Sequence, residues 1–410
     1  MSNNNIINYI HDCYGCGLCV VSCARQIIEI KLNKEGFYTP VIHSPDKCTD
    51  CGLCTQVCAY LNDDLSSPEK VRGSYAVWST DEAVRQKCSS GGIAFELGCA
   101  LLKKGYQVCG VKYNARTNRA EHYIASTVEE LIPSIGSKYI QSYPVDGFKS
   151  IDRRQKYLVT GTPCQMDSFR RYIRKFRCED NFVLMDFFCH GVPSMLLWEK
   201  YISEVERITG KITYASWRNK FTGWHDSWAM SIDGEFKGEK VNWHDSYNVL
   251  IKVKKGFYNS RLSQGDGFYG LFLSDVCLGK ACYEKCKYKH GHSSADIRIG
   301  DLWGRKFRKD EKGVSGVLTF TDKGERLLHD IPLLHIESCD LKYVVEGQMK
   351  DAPVLPSIRS QVLDMLRDDR VTLQRIARLI EPVLRKRRIK KLLANPFAVV
   401  RNRLIKYFNL

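Results

Sequence analysis

Eight cysteines near the amino end constrain this chain more than any other feature. They fall in two runs, Cys13-Tyr-Gly-Cys16-Gly-Leu-Cys19-Val-Val-Ser-Cys23 and Cys48-Thr-Asp-Cys51-Gly-Leu-Cys54-Thr-Gln-Val-Cys58. Both read C-x2-C-x2-C-x3-C, the spacing in which three thiolates hold one cubane and the fourth crosses to the other. One 4Fe-4S cluster is therefore assigned to Cys13, Cys16, Cys19 and Cys58, and a second to Cys48, Cys51, Cys54 and Cys23. Structural zinc usually takes its ligands in two pairs, which fits two identical quartets poorly. Disulfides need an oxidising compartment, and no feature of the sequence points to one. A proline usually follows the fourth cysteine. Here Ala24 and Ala59 stand in its place, which weakens the turn but removes no ligand.

At 410 residues the chain is long enough for two or three domains with a substantial core. Its 44% hydrophobic and 26% charged residues are those of an ordinary globular protein. The opening Met-Ser-Asn-Asn-Asn lacks a signal pattern, and no apolar run is long enough to span a bilayer. A cytoplasmic protein with reduced thiols is the expectation. A formal charge of +16 attracts anions: phosphorylated cofactors, acidic proteins, nucleic acid or anionic lipid.

Composition and pattern divide the chain into five parts. Residues 1–62 form the cluster domain, with a hairpin expected from the alternation around Glu35-Gly36, and residues 63–73 are a polar linker. Residues 74–150 and 151–345 are two parts of one core, and 346–410 is a basic helical tail. Within the core, Ser89, Ser90, Gly91 and Gly92 open an apolar helix, as serine caps do. Uncapped N–H groups there would also suit a phosphate. The loop Gly136–Ser142, with Ser137, Lys138, Tyr139, Gln141 and Ser142, suits a phosphate or flavin edge, or is simply solvated. A β-α-β pattern follows: a strand at 156–160, the turn Gly161-Thr162-Pro163-Cys164-Gln165, a basic helix and a buried strand at 182–188. Ligands collect at the carboxyl ends of such strands, here Gly161–Gln165 and Cys189–Ser194. Arg170, Arg171, Arg174, Lys175 and Arg177 read as a solvated helix face.

Cys277, Cys282 and Cys286 form a second cysteine focus. Three close thiols need a fourth ligand for a third cubane, and Cys164 and Cys189 are the candidates, with Cys164 preferred; zinc or free thiols are the alternatives. Cys88, Cys99, Cys109, Cys178 and Cys339 read as packing residues. The tail, with Arg385-Lys-Arg-Arg-Ile-Lys-Lys, suits an anionic membrane surface or an acidic partner, or is a solvated helix.

Together, the paired cysteine runs, Ser89–Gly92, Gly136–Ser142, Gly161–Gln165, Cys189-His-Gly-Val-Pro-Ser194 and Ala295–Gly304 resemble the coenzyme F-420 hydrogenase/dehydrogenase beta-subunit family. The resemblance covers roughly residues 8–305, in the version with an N-terminal two-cluster ferredoxin domain. It implies an FAD-binding α+β core passing electrons between iron–sulfur clusters and a substrate. It places the flavin on Ser89–Gly92, Gly136–Ser142 and Gly161–Gln165, and the core cluster on Cys277, Cys282 and Cys286. The spacing of the last two cysteines departs from the family pattern by one residue.

The fold expected is therefore α+β: a small ferredoxin-like two-cluster domain, a mixed α/β flavin-binding core and a basic helical tail. The function expected is an iron–sulfur flavoprotein oxidoreductase, joining a ferredoxin-like donor or acceptor to a small molecule through two or three 4Fe-4S clusters and FAD. A flavin bridges one-electron clusters and two-electron substrates. His190, beside a strand end, is the candidate proton donor, with a structural histidine as the alternative. The competing readings are a non-catalytic electron-transfer subunit and a zinc-stabilised nucleic-acid-binding protein. Nucleic acid is not expected as a partner.

Overall fold

The computed structural model describes residues 5–8, 12–65, 71–235 and 257–394. Residues 236–256 of the core, linker residues 66–70 and the tail beyond Ala394 lie outside the described residues. The alternation before and after Glu35-Gly36 makes an antiparallel hairpin, β1 (Ile28–Leu32) and β2 (Tyr38–Ile42), with Ile28 opposite Ile42. Ile28, Ile30 and Tyr38 turn inward among the cysteines of both runs.

The rest is built on a nine-stranded mixed sheet. Its strands are β3 (Gly73–Ser79), β4 (Gln107–Asn114), β5 (Arg119–Ala125), β6 (Ser142–Tyr143), β7 (Tyr157–Thr160), β8 (Phe182–Phe187) and, after β9 (Ile212–Ser216), β10 (Ala229–Gly234) and β11 (Phe257–Arg261), also β12 (Ile297–Asp301), β13 (Ser315–Thr319) and β14 (Leu334–Ser338). The sheet order is β14-β3-β13-β12-β8-β7-β4-β5-β6, while β11-β10-β9 form a separate antiparallel sheet. At the centre β12, β8, β7 and β4 run parallel. Strands covered on both faces need unbroken apolar runs, which Tyr157-Leu-Val and Phe182-Val-Leu-Met supply. The carboxyl ends of β7, β8 and β12 consequently open at one edge of the sheet.

Three expectations are corrected. The serines before helix Ile93–Lys103 do not cap it. Gly92 is the cap residue, at φ 93°, while Ser90 donates to Val314 O and Ser89 accepts from Ser137 N–H. Arg170 and Arg171 are not solvated. Arg170 pairs with Asp296 at 3.0 Å, and Arg171 pairs with Asp167 at 2.8 Å and Asp64 at 2.6 Å. Helix Pro163–Lys175 packs between the sheet and the cluster region, so water meets only its far end, at Arg174, Lys175 and Arg177. The third correction concerns the tail. Helix Arg359–Arg367 and the first half of Leu373–Ala394 lay Val362, Leu366, Ile376 and Ile380 into the same apolar core as Trp198, Trp217 and Phe268.

Candidate redox centres and ligand cavity

Each cysteine run turns into a short helix, Leu18–Ser22 or Leu53–Gln56, through a left-handed glycine: Gly17 at φ 70° and Gly52 at φ 69°. The turn lets Cys13, Cys16 and Cys19 face one small cavity, and Cys58 of the second run lines it too. Burial pushes the Cys13 and Cys19 thiols up, and neighbouring thiols, Cys16 first, add to it. Burial and then Cys16 likewise push Cys58 up to about 12. Gly15 N–H donates to Cys13 Sγ at 3.1 Å. At Gly15 (φ 68°) a Cβ would strike the Gln141 amide, so the backbone closes on the site where a side chain could not. A thiol-lined cavity, a crossing fourth cysteine and a backbone N–H aimed at sulfur fit a cubane. In the second set, burial raises Cys54, with the Cys51 and Cys23 thiols adding to it. Cys51 is exposed, so this set faces solvent. Among the described residues no three or more His, Cys, Asp or Glu converge as they would on a single metal ion.

A third thiol set gathers in the core. Cys164 opens helix Pro163–Lys175, Cys189 follows β8, and Cys282 and Cys286 lie in and after helix Lys280–Glu284. A bridge between Pro193 and Leu278, with Gly279 N–H donating to Val192 O at 2.9 Å, holds the post-β8 segment against the cysteine segment. Burial pushes Cys164 well up, and the Cys189 and Cys282 thiols add to it. Burial and then Cys189 push Cys282 up to about 12, and Cys189 is raised by burial with Cys286 contributing. Cys277 stands apart, fully buried in the apolar core and facing Arg359 and Asp275. Of the expected set, Cys164, Cys282 and Cys286 gather around Cys189, and Cys277 lies apart from them. The extended bridge at Leu278 is the reason, because it sets Cys277 among Val276, Leu278 and Tyr283. Cys164 also lies within electrostatic reach of Cys16, so the first and third sets are neighbours.

Beyond the third set, the carboxyl ends of the central strands open on a cavity of about 610 Å³, within the usual range for small-molecule sites. Of the expected flavin residues, Ser89, Ser90, Gly92, Ser137, Lys138, Tyr139, Ser142, Gly161, Thr162 and Gln165 line it, and so does His190. Gly91, Gln141 and Pro163 do not. Gly91 is packed against Val77 O, and Pro163 is buried in the first turn of its helix. Gln141 joins the two regions of the chain, accepting from Tyr38 N–H at 2.9 Å and donating to Tyr14 O at 3.3 Å. Lys138 Nζ donates to the carbonyls of Pro133, Ser134 and Ile135, and burial pulls its pKa down to about 7. Cys88, expected as packing, is buried and forms part of the wall.

Residues 74–147 and 154–336 match the N-terminal and C-terminal models of the coenzyme F420 hydrogenase/dehydrogenase beta subunit. The chain belongs to that family. Residues 12–61 match a 4Fe-4S dicluster domain, so this family member is an iron–sulfur redox protein. A solved chain of the F420-reducing NiFe hydrogenase complex from Methanosarcina barkeri is 16% identical, with a TM-score of 0.43; the match covers 76% of this chain and 92% of that one. No curated protein matches. Among the described residues no helix is long and apolar enough to cross a membrane.

In this member of the beta-subunit family, two groups at the cavity had no signal in the sequence. Asp275 Oδ1 stands 2.8 Å from His190 Nε2, across a long stretch of chain. Arg218 is fully buried behind the wall, pairing with Asp301 at 2.8 Å and donating to Tyr139 OH at 3.1 Å. Trp228 stacks on Tyr139 at 5.0 Å and forms an aromatic end with Phe272 and Trp303. The serines, Gly92, Gly136 and Lys138 also line the cavity, and Arg218 joins the two groups, donating to Ser89 O at 3.3 Å while lying over Trp228 at 5.1 Å.

Proposed function

We propose that this chain carries electrons between a ferredoxin-like partner and a small molecule bound in the large cavity, with FAD beside it and three 4Fe-4S clusters between. The clusters exchange one electron at a time and a flavin exchanges one or two, which joins the two kinds of chemistry. One observation carries the reading: the three thiol sets form a series that ends at the cavity. The set with exposed Cys51 meets the partner. Cys13, Cys16, Cys19 and Cys58 follow inside. Cys164 neighbours Cys16, and Cys189 is followed directly by His190 in the cavity wall. We assign the third cluster to Cys164, Cys189, Cys282 and Cys286.

At the cavity, Ser89, Ser90, Gly92 and Ser137 supply a polar lining suited to a pyrophosphate, with the Lys138 charge held nearby on three backbone carbonyls, and Tyr139 and Trp228 give an aromatic wall for a planar ring. His190, in the cavity wall with its Nε2 2.8 Å from Asp275 Oδ1, is placed to give or take a proton. Residues 1–62 act as the cluster domain and 74–345 as the core. The family's description as a beta subunit favours a second reading, in which the cavity serves partner subunits instead of free substrate.

Anaerobic purification with iron, acid-labile sulfide and flavin quantitation tests the proposal. The expected result is about 12 iron and 12 sulfide per chain with about one FAD. Iron and sulfide without flavin would remove the cavity assignment, and zinc without sulfide would remove the whole scheme. Turnover of a small substrate by the isolated chain, against turnover only in a hetero-complex, separates the two readings.

A further inference from the structure

Helix Pro163–Lys175 belongs to the core, yet it meets thiols of two sets. Cys164 and Ser168 are four residues apart, so they share one helical face about one turn apart. Ser168 is fully buried. Its Oγ accepts from Ala59 N–H at 3.1 Å and lies 3.3 Å from Cys16 Sγ. With Cys16 as a free thiol, the S–H is the donor across that gap. A thiolate bound to iron has no proton to give, whereas a hydroxyl has one proton and two acceptor lone pairs. Ala59 occupies one of those lone pairs, and rotation about Cβ–Oγ aims the proton at sulfur.

We infer that Ser168, a residue of the core, donates to the Cys16 sulfur and raises the reduction potential of the cluster on Cys13, Cys16, Cys19 and Cys58; this rests on the cluster assignment proposed above. Reduction adds one electron to the cluster, with no bond made or broken and the hydroxyl proton staying on Ser168. The added negative charge spreads onto the sulfurs, so a donor there stabilises the reduced form more than the oxidised one. The site is buried, and low local dielectric strengthens the effect. Thr162 Oγ1 lies 3.1 Å from Cys164 Sγ, so the same element offers a hydroxyl to the third set as well. Ser168 and Thr162 therefore act on different clusters, and the potential of the first depends on the cluster region being seated on the core.

The test is an anaerobic redox titration of the whole protein, poised with dithionite and followed by electron paramagnetic resonance. Wild type is compared with Ser168→Ala, Ser168→Thr and Ser168→Cys. In Ser168→Ala one midpoint falls and the others stay. At a fixed poise the reduced-to-oxidised ratio of that cluster drops about tenfold, which for a one-electron couple is 59 mV. Ser168→Thr keeps the hydroxyl and returns the wild-type midpoint. Ser168→Cys, a weaker donor, falls between, and it decides the matter if the alanine variant loses iron. Unmoved midpoints in a fully loaded Ser168→Ala, or in Ser168→Cys where alanine does not load, overturn the inference. Wild-type protein without iron and sulfide would instead overturn the cluster assignment beneath it.

Discussion

Replacing Cys277 and Cys189 separately by alanine asks which of them serves the third cluster. Cys277 is fully buried among apolar side chains, and its thiol faces Arg359 and Asp275. Cys277→Ala deletes one buried heavy atom, comparable to one methylene, so the loss is about 1 kcal/mol. In a chain of this size that lowers the melting temperature by about 2–4 °C or less. Iron content stays unchanged. Cys189 is within electrostatic reach of Cys164, Cys282 and Cys286. Cys189→Ala removes one of four ligands, and iron falls from about 12 to about 8 per chain, with sulfide falling in step. The assay is iron and labile sulfide per chain after anaerobic purification, with a melting curve on the same samples. If Cys277→Ala loses about four iron atoms while Cys189→Ala keeps its full complement, the reassignment is wrong and the bridge at Leu278 does not control ligation.

Three further outcomes are expected. Lys138, whose pKa burial pulls down to about 7, loses its charge as pH rises through neutrality, so an anionic cofactor binds better below pH 7 than above it. If binding raises that pKa by about one unit, FAD affinity is roughly fivefold higher at pH 6 than at pH 8, and Lys138→Met flattens the profile, as calorimetric titration will show. Asp186 and Arg298 form a fully buried pair at 2.7 Å, and Arg298 also donates to Tyr288 O and His290 O. Asp186→Asn leaves the guanidinium without a counter-charge and destabilises by about 3–5 kcal/mol in urea unfolding; a loss under about 1 kcal/mol would contradict this. Ile376→Ala in the C-terminal helix costs about 2–4 kcal/mol because Ile376 is fully buried, whereas a detachable tail would show almost no change in the same unfolding curve.

Legibility in the sequence followed the distance over which each feature is decided. The cysteine runs were readable because cubane ligands are spaced within a few residues, and the hairpin because alternation is local. The central parallel strands were readable from apolar runs such as Phe182-Val-Leu-Met. The choice between Cys189 and Cys277 was not, because it depends on the end of β8 lying against residues 277–286. Arg170 and Arg171 look solvated on any helical wheel; only the second surface, bringing Asp64 and Asp296, makes them interior. Gln141 shows the converse. A polar residue in a cavity-forming loop reads as a ligand contact, while its amide in fact holds Tyr14 and Tyr38.

Helix Pro163–Lys175 explains why the sites line up. A helix following a parallel strand starts at the carboxyl edge, so Cys164 in its first turn must lie near the cavity and the end of β8. The helix then runs back along the sheet and carries Ser168 and Arg171 into the cluster region, to Cys16 and Ala59 and to Asp64. One residue is about 100° of helical rotation, so a single insertion between Cys164 and Ser168 swings the hydroxyl off Cys16 and the guanidinium off Asp64 together. Contact with the cluster region and contact with the cavity edge are thus fixed by the phase of one helix. The route from thiol set to thiol set holds its register only while that helix keeps its own.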